Sequence, residues 1–139
     1  MGGFMKSMVS FRIISDTLNC LEITNMLGIN PSISHDKGDE NTATTKNGKL
    51  ITHSPFNSGL WSIETTEEKH QTINGHIKSL LIILLPLKKE LLELSARGYK
   101  MDIFCGIFTH EVDQPGFIVE PDVMFQLGEL NIVLGVCIY

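Results

Sequence analysis

Cysteine is scarce and scattered. Cys20, Cys105 and Cys137 are odd in number, lie far apart and form no CxxC. Zinc sites and dithiol redox centres need closely spaced thiols, so neither is read here. Each cysteine sits in an apolar pattern, which predicts buried free thiols and a reducing, cytoplasmic setting. Cys105 as a nucleophile would need a histidine partner and a lowered pKa, and no neighbour in sequence supplies one. The five histidines, His35, His53, His70, His76 and His110, show no HxH or HxxxH spacing, so no metal site is expected. The chain also lacks GxSxG, P-loop and GxGxxG sequences, which removes several common enzymatic signatures. No catalytic residue and no cofactor is predicted.

Positive charge is short as well. Lys and Arg total 11 against 16 Asp and Glu, the formal net charge is −5, and no basic cluster occurs. Nucleic acid and anionic membrane surfaces attract basic proteins, so neither is expected as a partner. The longest apolar run, Leu80–Leu87, is far below the ~20 residues a helix needs to cross a bilayer. The start, MGGFMKSMVSF, has no apolar core ahead of a cleavage site, so no signal peptide is predicted.

What is present is a periodic, ordinary globular sequence, 42% hydrophobic and 19% charged, of a length that favours one domain. The organising unit runs from Thr72 to Phe108. Ile73, Ile77, Leu81, Leu84, Leu91 and Leu94 recur at helical spacing and predict one buried stripe. Glu67–Gln71 supply a polar first turn, and Pro86 predicts a kink or a new start. Gly98 is placed to end the helix in the left-handed conformation. Strand Tyr99–Phe108 follows and is expected in the middle of the sheet. Ile82, Ile83, Leu85 and Leu92 fall off the stripe, which suggests a second covered side and a homodimer through the long helix.

Around this unit, Met8–Ser15 alternates as a strand. Asn19 with Glu22 reads as a capping box, opening a helix with Leu21, Ile23, Met26 and Leu27 on its face and Gly28 as its stop. Ile29–Asp36 is extended, with Pro31 arguing against a central place in a sheet. Residues 40–58 are polar and read as a flexible insert, with Lys49–His53 the alternative of a short hairpin strand. Gly59–Thr65 is a strand. After the turn THEVDQPG, Gly116–Val119 reads as a short strand and Pro121–Leu130 as a helix stopped by Asn131. Ile132–Ile138 reads as a strand buried on both faces. The predicted fold class is α+β: a mixed, mainly antiparallel sheet with helices on one face, in β-α-β-β-α-β-β-α-β order, with a ferredoxin-like flavour.

The segments FRIISDTLNCLEITNMLGINPSISHDKGD, GLWSIET, GYKMDIFCGIF and PDVMFQLGELNIVLGVCIY, in this order and spacing, resemble the bacterial family called domain of unknown function 4279 (DUF4279). The likeness covers nearly the whole chain outside residues 41–58. It implies a single cytoplasmic α+β domain and no established activity. Relatives often carry Thr or Ser ahead of Pro at both helix starts. This chain has Asn19-Cys20 and Glu120-Pro121, and the second is a weaker cap.

The densest polar cluster is His35-Asp36-Lys37-Gly38-Asp39-Glu40. A histidine exchanges protons near neutral pH, and Lys37 with the Gly38 N–H offers an anion cradle; the plainer reading is a charged turn after a strand. Trp61, the only tryptophan, is either a ligand or interface anchor or a core residue with its N–H satisfied. Asp102 and Cys105 point to opposite faces of one strand, so Asp102 is read as an ion-pair partner of Arg12 or Arg97. The expected function is a non-enzymatic protein-binding domain of immunity or adaptor type, with a basic protein as partner. The alternative is a small-molecule-binding or enzymatic domain at His35, Lys37, Gly38, Asp39 and Trp61, with the polar insert as lid.

Overall fold

Alternating apolar residues build the central strand, β1 (Ser7–Ser15): Val9, Phe11 and Ile13 turn to one side and are buried, while Arg12 and Ile14 turn to the other. The structure is a computed structural model and describes residues 7–65, 72–107 and 117–139. The polar turn expected at Glu67–Gln71, Phe108 and the turn at 109–116 lie outside the described residues.

After β1, helix α1 (Cys20–Leu27) is capped by Asn19, whose side chain accepts from the Glu22 N–H at 3.0 Å. Glu22 does not reach back to close a capping box; its carboxylate accepts from Arg97 at 3.0 Å. Gly28 ends the helix at φ 70°. Leu21 points away from the core, which takes Ile23 and Leu27. Strand β2 (Ile33–His35) is short and follows Pro31. The polar insert forms β3 (Asn41–Thr44) and β4 (Leu50–His53), a hairpin that among the described residues pairs only with itself. Strand β5 (Gly59–Glu64) returns to the main sheet.

The long helical segment is α2 (Ile73–Leu84), a 3₁₀ turn over Leu85–Leu87, and α3 (Lys88–Ala96). The break falls at Pro86, which has no N–H to continue the α-helical ladder. Thr72 caps α2 by accepting from the Gly75 N–H. Every member of the predicted stripe, from Ile73 to Leu94, is buried. Strand β6 (Lys100–Ile107) follows Gly98 at φ 92°. Residues 117–120 are not a strand, in contrast to the reading of Gly116–Val119; they lead into α4 (Pro121–Glu129), and Gly116 itself lies outside the described residues. Asn131, at φ 59°, makes the left-handed stop, and β7 (Val133–Ile138) closes the sheet.

The sheet order is β2-β5-β1-β6-β7, antiparallel except for the β6–β7 pair. β5 lies between β2 and β1, and β6 flanks β1 on the other side. Strands β1, β2, β5 and β6 thus form two interleaved β-α-β units, the arrangement of a ferredoxin-like sheet. Helix α4 and β7 extend it by a parallel crossover. The sheet departs from the sequence expectation in two respects. The middle strand is β1, not Tyr99–Phe108. Ile132–Ile138 is not buried on both faces: β7 is an edge, and Val133, Val136 and Ile138 are exposed. An uncharged apolar run looks alike in both settings, because periodicity carries no information on strand order.

Helices pack on one face. Ile23, Ile77, Leu80, Leu91, Leu94, Val123 and Leu127 join Phe11, Ile13, Trp61, Ile103 and Cys105 in one core. Each fully buried side chain of this size contributes about 1.5–3 kcal/mol. The opposite face carries Arg12, Asp102 and Phe104. Among the described residues, no helix is long and apolar enough to cross a membrane.

Candidate functional site

The turn that ends β2 is closed by its own residues. The Asp39 N–H donates to the Asp36 carbonyl at 3.1 Å, and Gly38 sits at φ 86°, as the third position of a type II turn requires. The Asp39 carboxylate accepts from the Asp36 N–H at 2.8 Å, and the Asp36 carboxylate accepts from the Cys20 N–H at 2.9 Å, at the first residue of α1. Both acids therefore fix the turn and anchor it to α1. Lys37 is exposed and lies 3.8 Å from Asp16.

Phe56 occupies the space beside His35. The rings stack at 3.5 Å between centroids and 11° between planes. Phe56 is held there by two backbone bonds: its carbonyl accepts from the Gly38 N–H, and its N–H donates to the Asp39 carbonyl. The Gly38 N–H proposed for an anion is thus already used by the chain. The Nδ1 of His35 is buried without a hydrogen-bond partner among the described residues. Phe56 was missed in the sequence, where its one signal is an aromatic standing alone in a polar stretch.

His35, Lys37, Gly38 and Asp39 come together in this turn; Trp61 does not join them. His35 pairs across the ladder with Leu60, so the next residue of β5 turns to the other face. Trp61 is fully buried there, donates from Nε1 to the Thr24 hydroxyl at 3.0 Å, and meets Phe11 edge-on at 6.4 Å.

Arg12, Asp102 and Arg97 are engaged in ion pairs as well. Arg12 and Asp102, opposite each other on β1 and β6, form a two-pronged pair at 2.7 and 2.9 Å. The Arg12 guanidinium also lies 4.4 Å from the centre of the Phe104 ring. The Asp102 hydrogen bond raises the Arg12 pKa further above its ordinary value. Arg97, at the end of α3, donates to both Glu22 and Glu93. Burial, aided by Asp36, pushes the Cys20 thiol up to about 12, and burial with Asp102 nearby pushes Cys105 up to about 11. Neither thiol is an activated nucleophile near neutral pH. Cys137, read from the sequence as buried, is exposed on β7. Among the described residues, no three His, Cys, Asp or Glu side chains gather as metal ligands; His70 and His110 lie outside them.

Unpartnered surface is found elsewhere. Ile82, at 75% exposure, and Ile83 stand on the outside of α2, Leu92 on α3 and Phe125, at 66%, on α4. Lys78 of α2 reaches Glu120 at the start of α4, and Lys88 reaches Glu129 at its end, so the two helical segments run side by side. Ile82 lies one turn beyond Lys78, on the flank that faces α4. These apolar side chains are thus exposed on the helix layer, where the Lys78–Glu120 and Lys88–Glu129 pairs link α2 and α3 to α4.

Comparison with known proteins places the chain by family. The model of the family described as Domain of unknown function (DUF4279) matches residues 5–139. No curated protein and no solved structure matches the chain.

Proposed function

We propose, from the premise that this chain belongs to the DUF4279 family, a non-enzymatic role: a small cytoplasmic domain of immunity or adaptor type that binds another protein. One observation carries the reading. Large apolar side chains, Ile82 and Phe125 foremost, stand exposed on the helix layer, whereas the Arg12, Asp102, Asp36 and Asp39 side chains are spent on internal bonds. Exposed apolar surface rimmed by polar residues marks interaction sites. The net charge of −5 favours a basic partner, whose approach it would steer.

The experiment is affinity capture from the native host with the wild-type chain and with Phe125→Asp and Ile82→Asp. Both substituted positions are on the surface, so the folded state should survive, as near-unchanged thermal unfolding would show. The expected result is a basic protein held stoichiometrically by the wild type and lost from both variants, with affinity down at least about tenfold per anchor. A partner retained equally by all three chains would overturn the placement. Failure to capture any partner from the host would count against the role itself.

A further inference from the structure

Edge strands are usually guarded by shortness, charge, proline or bulges, because their free backbone groups pair with any strand that approaches. Among the described residues the sheet ends at β2 and β7, and these two edges differ in that respect. β2 has three residues and follows Pro31. β7 has six residues, VLGVCI, with no charge, proline or break in its pairing to β6. The Tyr139 N–H donates to the Ile107 carbonyl. Alternation along a parallel ladder then turns the backbone groups of Val133, Gly135 and Cys137 toward β6, and those of Leu134, Val136 and Ile138 outward. Val133 and Ile138 are also well exposed, at 65% and 63%.

We propose that β7 pairs antiparallel with β7 of a second copy of this chain, across a two-fold axis at Val136, so that two sheets become one. This uses a different surface from the exposed residues of the helix layer and goes beyond the protein-binding reading. Faces must match across an antiparallel pair, which leaves registers centred on a residue. Centred on Val136, Leu134 meets Ile138, Val133 meets Tyr139, and Gly135 meets Cys137, all uncharged. Centred on Gly135, two glycines would leave a gap, and Tyr139 would face Asn131, whose φ of 59° takes it out of the strand. The Val136 register is therefore the better filled.

The occupant is a second copy because two-fold pairing asks each side for one self-complementary pattern, and β7 has it. A net charge of −5 opposes self-association in general; at β7 no like charges oppose. Helix α4 adds to the contact. Met124 and Gly128, one turn apart, are on the flank away from the Glu129–Lys88 pair. That flank is open: a Cβ on Gly128 would meet nothing within 4 Å.

Sedimentation equilibrium over a range of concentrations tests this directly. The wild type should reach twice 15.5 kDa. Val136→Lys places two lysines on the axis and should weaken the dimer at least about a hundredfold, since opposed like charges cost several kcal/mol. Register is tested with Gly135→Cys, which the fold can accept: a Cβ there meets its nearest neighbour at 3.9 Å. Residues 135 and 137 would form a non-hydrogen-bonded pair with Cα atoms about 4.5 Å apart, within disulfide range. Oxidation of this variant should link the thiol introduced at position 135 to Cys137 across the axis, a disulfide between copies that peptide mass spectrometry identifies. A monomer at all concentrations would overturn the proposal. So would a dimer that survives Val136→Lys, including one broken instead by Ile82→Asp, which would assign it to the long helix. If Gly135→Cys does not fold, the Val136→Lys measurement decides alone.

Discussion

A thiol attacks as its thiolate, so environment decides which cysteine reacts. With Cys20 pushed up to about 12 and Cys105 to about 11, only about one Cys20 in ten thousand and one Cys105 in a thousand is ionised at pH 8. Cys20 is further held by donating its S–H to the Leu60 carbonyl, and Cys105 is fully buried. Iodoacetamide at pH 8 should therefore add one adduct to the folded protein, at exposed Cys137, and three after unfolding; mass spectrometry reads this. Labelling of all three at equal rates in the folded state would refute it. The same burial sets a pH dependence. Both folded values lie above the ordinary 9.0, so the native state keeps protons that the unfolded chain loses. Stability is then full below about pH 9 and falls as pH rises toward 11–12. Urea midpoints should drop between pH 8 and 10.5, and less steeply when both residues are alanine. At this scale the sequence was partly legible. An apolar pattern marked Cys105 correctly as buried, but the same kind of pattern around Cys137 belongs to an edge. Trp61 was open to two readings, because its indole partner, Thr24, comes from a helix whose docking periodicity does not specify.

Helix α4 begins on a residue that cannot cap it. Glu120 makes no side-chain cap bond, and Asn74 of α2 takes over: it accepts from the Glu120 N–H at 2.9 Å and donates to the Glu120 carboxylate at 2.7 Å. Asn74 is only 8% exposed, so its amide is spent on this joint. Asn74→Ala should cost about 1–2 kcal/mol: a hydrogen bond to a charged group is worth about 1.5–3 kcal/mol when buried, and this carboxylate is half exposed. Urea unfolding checks the value; a change below about 0.3 kcal/mol would show that α4 is held by Val123 and Leu127 packing alone. The weak cap was visible in the sequence, since Glu120-Pro121 lacks a short polar acceptor; its remedy, 46 residues away, was not. Local signals name elements well. The α2–α3 stripe, the Pro86 break and the stops at Gly28, Gly98 and Asn131 each follow from spacing or backbone chemistry. The expected strand at Gly116–Val119 failed for the converse reason: four apolar-leaning residues suit a strand but do not supply one with a neighbour.

Over the whole molecule, the α+β class and helices on one face were legible because the stripe spacing fixes which side of each element is buried. Strand order was not, because it depends on which strands meet, and β1 took the centre expected for β6. The polar insert poses the remaining question of scale. β3 and β4 form a separate sheet whose β4 residues are all exposed, and a lone two-stranded hairpin is marginal in water. It is tied to the body by the His35–Phe56 stack and the bonds of Phe56 with Gly38 and Asp39. Amide exchange should therefore fall into two classes. Backbone amides of 41–53 should exchange within seconds to minutes, through local opening, while those of β1 and β6, flanked on both sides in the sheet, should persist until the whole domain opens. Phe56→Ala should raise exchange at Gly38 about tenfold or more and leave Phe11 and Ile103 unchanged, because the stack it removes holds the hairpin and not the core. Hairpin amides protected as long as those of β6, or a Phe56→Ala change that spreads into β1, would mean that insert and body open together as one cooperative unit.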